Sequence, residues 1–128
     1  MNRALSRAHK QKRKEQMKEA FVEFVDRDEV FVEANGVCQI CGLPVPCTWT
    51  PENEWAATLD HIDPLSEGGL HMKANIQLAH RLCNSLKGTD DEEYHVDWKQ
   101  MLIEEPGRWN ERLDELWRQL GMETEQAG

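Results

Sequence analysis

Two pairs of metal-ligating residues, each spaced by two, constrain this chain more than any other feature: Cys38-x2-Cys41 and His80-x2-Cys83. The short spacing lets both side chains of a pair face one ion from a single tight turn. Four Cys or His ligands in a tetrahedron are what structural zinc prefers. If the pairs meet, the 38 residues between them, 42–79, form a folded insertion anchored at both ends. Cys47, the fourth cysteine, has no partner at useful spacing and reads as an ordinary small side chain. Only 39% of the 128 residues are hydrophobic and 30% are charged. A thin core of that kind gains from a metal staple, because metal binding then contributes directly to folding.

The basic N-terminus has no apolar run behind it, so no signal peptide is expected. In a reducing compartment paired cysteines at this spacing mean metal rather than disulfide. No stretch approaches the ~18 apolar residues of a membrane span. The expectation is a soluble, cytoplasmic, single-domain protein with no membrane partner. Net charge is -9, yet residues 1–18 carry seven Lys/Arg against one Glu. Phosphate attraction is local, so this arm, with Lys12, Arg13 and Lys14 at its centre, can bind DNA despite the acidic total. A solvated face is the equally weighted alternative.

Met17, Phe21, Phe24 and Val25 recur at helical spacing and predict a helix over about 9–25. Asp26 with Glu29 resembles a capping box opening a short helix that stops at Asn35-Gly36, although Val30, Phe31 and Val32 leave a strand possible. Val37 to Gly42 reads as a zinc knuckle, with Pro44, Pro46 and Pro51 making the next segment irregular. Ala57 to Ile62 and Asn75 to Ala79 read as strands around a loop with Gly68-Gly69 at its turn, and Arg81 opens a helix. Trp49 and Trp55 read as packing residues. Beyond the acidic run 90–93, a helix around Trp98, Met101 and Leu102 stops near Pro106. Trp109, Leu113, Leu116, Trp117 and Leu120 then fall on one helical face, read as core with a dimer face as the minority alternative.

Between the ligand pairs lies Asp60-His61, then Pro64, Gly68-Gly69 and Asn75; Asn84 directly follows Cys83. Hydrolysis of a phosphodiester needs a base for water, a cation for the phosphate charge and a fixed geometry. An imidazole titrating near neutrality suits the base, which points to His61. Asp60 faces away from His61 on a regular strand, but a bend at the strand end could turn it toward a metal. Asp60 and Asn84 are hard oxygen donors suited to Mg²⁺ or Mn²⁺. His71, in the loop, reads as a surface residue and as the backup base; His9 and His95 read as exposed.

This stretch resembles the HNH endonuclease family, and similarity to small phage-encoded members extends to size and layout. The shared features are the Cys-x2-Cys pair at 38–41, the Asp-His pair with its Pro and Gly-Gly turn at 60–69, Asn75, and the second ligand pair followed by Asn84 and Lys87. The resemblance covers about residues 27–88. It implies an α+β fold: a ββα-metal core with zinc-stapled knuckles, flanked by N-terminal and C-terminal helices. It makes His61 the general base, Asp60 and Asn84 the ligands of a catalytic divalent ion, and Asn75 the brace of the loop that orients His61. Cys38, Cys41, His80 and Cys83 would hold structural zinc. The helix from Arg81 would enter the DNA minor groove, with Arg81, Lys87 and Lys73 at phosphates, and cleavage would leave a 5′-phosphate and a 3′-hydroxyl. His80 replaces a usual Cys, and Asn84 stands where many members have His, favouring Mg²⁺ or Mn²⁺ over softer ions.

The expected organisation is a basic arm and helix at 1–26, a nuclease core at 27–89, an acidic helical extension at 90–121 and a disordered tail at 122–128. The expected partner is DNA, with phage terminase a candidate second partner and a monomer the expected state. A homing or restriction-like nuclease is one alternative; a non-catalytic zinc-stapled module binding DNA or protein is the other.

Overall fold

The computed structural model describes residues 23–88 and 94–122. Most of the helix expected over 9–25, the basic residues Lys12, Arg13 and Lys14, the acidic run 90–93 and the tail 123–128 lie outside the described residues. Residues 23–25 are irregular.

Helix α1 spans Arg27–Glu33. Asp26 caps it by accepting a hydrogen bond from the Asp28 backbone N–H, as expected of an Asp at that position. Helix rather than strand wins at Val30–Val32 because the cap is made and one face suffices: Val30 is buried while Val32 stays exposed. Asn35 and Gly36, both at positive φ, end the helix. The knuckle follows at once: Val37 bridges Pro44, Cys38 N–H donates to the Leu43 carbonyl at 2.9 Å, and Gly42 N–H donates to the Cys38 carbonyl at 2.9 Å.

Strands β1 (Ala57–His61) and β2 (Ile76–His80) form one antiparallel pair in which Ala57 faces His80 and His61 faces Ile76. Helix α2 (Arg81–Lys87) leaves β2 without a connecting residue and ends at Gly88. The connection between the strands holds two short 3₁₀ turns, at Leu65–Glu67 and Lys73–Asn75. The second strand therefore begins one residue later than the sequence suggests, because Asn75 closes the turn instead of entering the ladder. Strand, loop, strand and helix make the α+β fold expected.

Helices α3 (Trp98–Glu104) and α4 (Pro106–Gln119) meet at a corner where Pro106 takes the first helical turn, a position that needs no N–H. They pack into the same core as the strands. Trp55, Trp98 and Trp109 stand in successive edge-to-face contacts, with centroids 5.6 Å and 5.0 Å apart. Trp55 Nε1–H donates to the Arg112 carbonyl at 2.8 Å, and Arg112 grips Glu54 through two bonds of 3.0 and 2.6 Å. Trp109, Leu113 and Leu116 are buried, so the apolar stripe of α4 is core. Val96 N–H donates to the Ile40 carbonyl, tying this C-terminal segment to the knuckle. Among the described residues no helix is long and apolar enough to cross a membrane.

Candidate metal centre and active site

Cys38, Cys41, His80 and Cys83 come together, their ligand atoms all within 4.8 Å of one another. The knuckle supplies two of them. The end of β2 and the first turn of α2 supply the others, so the strand-to-helix corner is fixed at the cluster. His80 Nδ1 lies 3.4 Å from Cys41 Sγ and 3.6 Å from Cys83 Sγ. A tetrahedral zinc with Zn–S bonds of ~2.3 Å has ligand–ligand edges of roughly 3.5–3.8 Å, so the set fits that ion. His80 Nε2 sits 2.8 Å from the Pro44 carbonyl. An N–H there fixes the tautomer that leaves Nδ1 for the metal. Three thiols so close cannot all ionise unaided. Hydrogen bonds from Cys41 and Cys83 hold the Cys38 thiol far below its ordinary range. The Cys83 thiol is pushed far up by Cys38, Cys41 and burial. Burial alone would lower the His80 pKa, but contact with Cys38 and Cys41 raises it to about 9. The donor chemistry thus calls for a dication to hold the remaining thiols as thiolates. Cys47 is exposed and outside the cluster.

The other end of the strand pair carries the remaining chemistry. The Asn75 side chain spans the loop: its Oδ1 accepts from Asp63 N–H at 2.8 Å, and its Nδ2 donates to the Asp63 and Leu70 carbonyls at 3.1 and 2.8 Å. Ile62 N–H donates to the Asn75 carbonyl. Gly69 is packed so closely that a Cβ there would lie 1.8 Å from the Asp63 carbonyl oxygen. The loop is therefore clasped just past His61, at the end of β1.

Asp60 and His61 point to opposite sides of β1, as alternation requires. Asp60 is 3% exposed. Its Oδ2 accepts from Gln77 Nε2 at 2.8 Å across the ladder, and its Oδ1 meets Lys87 Nζ at 3.3 Å. Lys87 Nζ also lies 3.2 and 3.4 Å from the His61 and Ile62 carbonyls. One carboxylate and two carbonyls thus converge on the Lys87 ammonium; oxygen donors of this hard kind are also the type that Mg²⁺ or Mn²⁺ takes. Asn84 lies half-buried on α2, one turn before Lys87.

Two of the lysines expected at phosphates have carboxylate partners within the chain. Lys87 is 2% exposed and its ammonium is directed inward, because a buried Asp60 carboxylate needs a partner. Spacing held the signal: Lys87 follows the metal-facing Cys83 by four residues and so shares its interior face. Lys73 is exposed, but its ammonium is taken by Glu29 at 2.5 Å and Glu33 at 2.7 Å, which raise its pKa well above the usual lysine value. Arg81 is half-buried with Nη2 3.4 Å from the Trp49 carbonyl. His71, read as a surface residue, instead places Nδ1 3.1 Å from His61 Nε2.

A family model described as HNH endonuclease matches residues 38–90, which begin at the first knuckle cysteine and end just past α2. The match covers less than half of the chain, and the likeness is of that segment to an HNH endonuclease domain. Neither the curated proteins nor the solved structures give a significant match.

Proposed function

We propose that this protein is a metal-dependent endonuclease that hydrolyses DNA phosphodiester bonds at the His61 end of β1. The observation that carries the reading is the pairing of a cysteine–histidine cluster that fixes β2 to α2 with a clasped loop beside His61, within the HNH-matched segment. His61 takes a proton from water, and the resulting hydroxide attacks phosphorus. The bond to the 3′-oxygen breaks, leaving a 5′-phosphate, and the 3′-oxygen takes a proton from solvent. Asn75 holds the loop during these steps. Asp60 and Asn84 would hold a Mg²⁺ or Mn²⁺ ion, which supplies positive charge against the phosphate and the leaving oxygen. Arg81 and the arm residues Lys12, Arg13 and Lys14 are proposed to meet the phosphate backbone.

The proposed setting is a phage or mobile element, with the nuclease acting beside a packaging terminase; a homing or restriction role is the alternative. A non-catalytic DNA- or protein-binding module is a second reading, favoured by one observation: the Asp60 carboxylate already has Lys87 and Gln77 as partners. Conversion of supercoiled plasmid in Mg²⁺, Mn²⁺ or EDTA, comparing wild type with His61→Ala, separates them. Nicked or linear product that needs both the ion and His61 supports the enzyme. A folded, zinc-loaded wild type that makes no product with either ion supports the binding module. Stimulation of nicking by added terminase would support the packaging setting.

A further inference from the structure

We propose that His71 is a positioning residue for His61: its Nδ1 accepts a hydrogen bond from His61 Nε2–H and fixes the tautomer in which His61 Nδ1 takes the proton from water. The inference rests on the reading of His61 as the base and deepens it. The two nitrogens are 3.1 Å apart, a hydrogen-bond distance, with ring centroids at 5.3 Å. One proton is shared across that contact. If it sits on His71 Nδ1, the neutral His61 carries its own proton on Nδ1, where it cannot accept another. If it sits on His61 Nε2, Nδ1 is left with the lone pair, and the Nε2–H has its acceptor in place on His71.

A second set of contacts keeps His71 in place, and it comes from outside the family-matched segment. Glu23 N–H donates to the His71 carbonyl at 3.3 Å. Glu23 Oε1 accepts from the Lys73 N–H at 2.5 Å. The Lys73 ammonium is held by Glu29 and Glu33 of α1. Three carboxylates thus latch the segment around Lys73 to the chain before the knuckle, while Asn75 and Gly69 close the loop from its other side. Exposed ion pairs contribute little to overall stability. Two of them and a backbone hydrogen bond to Glu23 on one loop residue, flanking the histidine that meets His61, suit placement better than stability.

The test pairs an activity readout with one that needs no activity. Long-range ¹H–¹⁵N spectra of the zinc-loaded full chain report which His61 nitrogen carries the proton. The expected result is the Nε2–H form in wild type and a mixture of tautomers in His71→Ala. With supercoiled plasmid and Mg²⁺, His71→Ala should lower kcat roughly 10- to 100-fold with KM unchanged. That is less than the ~10⁴-fold loss that follows neutralising a carboxylate tautomer partner, because an imidazole nitrogen is the weaker acceptor. His71→Asn, whose Oδ1 offers an acceptor near the position of Nδ1, should recover most of the loss. Lys73→Ala should lower kcat about 3- to 10-fold at nearly unchanged melting temperature, below the roughly 10- to 100-fold effect of outer-shell substitutions because Lys73 acts one contact further out, with Lys73→Arg restoring it. A wild-type His61 protonated on Nδ1, or a His71→Ala protein with unchanged tautomer and kcat, overturns the proposal. A wild type that cuts nothing while showing the Nε2–H form overturns the base assignment instead, leaving the hydrogen bond standing.

Discussion

Gly69→Ala tests the loop geometry most directly. A methyl at this position meets the Asp63 carbonyl oxygen at 1.8 Å, the Asp63 carbonyl carbon at 2.6 Å and the Pro64 carbonyl oxygen at 2.9 Å. All three are backbone atoms, so no side chain can swing aside, and the loop segments around residues 63 and 69 must part by over an ångström. Four hydrogen bonds run through the displaced atoms: Gly69 N–H to the Pro64 carbonyl, and the Asn75 side-chain bonds to Asp63 N–H and to the Asp63 and Leu70 carbonyls. Each is worth about 0.5–1.5 kcal/mol net. Losing two or three of them costs roughly 2–3 kcal/mol, which lowers the melting temperature by about 10 °C in a domain of this size. Plasmid nicking should fall by at least ~10-fold, since the displaced atoms adjoin His61, and a 1 Å misplacement alone can cost ~100-fold. Gly68→Ala is the matched control. Nothing lies within 4 Å of its added methyl, and only the positive φ of 91° opposes it. That strain costs about 1–2 kcal/mol. Differential scanning calorimetry and the nicking assay on both variants decide the matter. A Gly69→Ala protein that melts and cuts no worse than Gly68→Ala refutes the close-approach reasoning.

Lys87→Ala should act as a core mutation rather than a DNA-contact mutation. Leaving the Asp60 carboxylate buried without its cation costs roughly 3–5 kcal/mol, read by urea denaturation, while the salt dependence of DNA binding keeps its slope. Trp109→Ala removes a fully buried indole from the row of tryptophans and should cost about 3–5 kcal/mol, read the same way, with zinc content retained in the folded fraction. Zinc uptake by metal-stripped protein at neutral pH should release protons, because Cys83 enters as a thiol and must leave as a thiolate. Titration calorimetry in buffers of different ionisation enthalpy counts them, and uptake should weaken as pH falls; uptake with no proton release would refute the thiol assignment.

The parts legible in the sequence were those set by short-range rules. Cys38, Cys41, His80 and Cys83 announce a metal cluster through spacing alone, and the strands and α2 follow from turn residues at 68–69 and the ligand pair at 80–83. The Asp26 cap and the stripe of α4 were readable for the same reason. Missing were contacts that exist only once the loop is closed. His71 reaches His61 because Gly69 admits a close approach and Asn75 clasps the ends, and neither distance is visible in a linear string. Lys87 looked like a surface cation because its partner, Asp60, lies on a strand 27 residues upstream. Lys73 looked available to phosphate because its carboxylates come from α1, 40 and 44 residues before it.

The tryptophan row also gives the protein an optical gauge of its own. The Trp55 ring stands edge-on to the His80 imidazole with centroids 5.1 Å apart, and excitation can pass from Trp109 through Trp98 to Trp55. Thiolates and a protonated imidazole beside an indole quench its emission, and a bound ion changes both. Intrinsic fluorescence therefore reads the charge state of the cysteine–histidine cluster through Trp55 and as far along the chain as Trp109, without a dye or label.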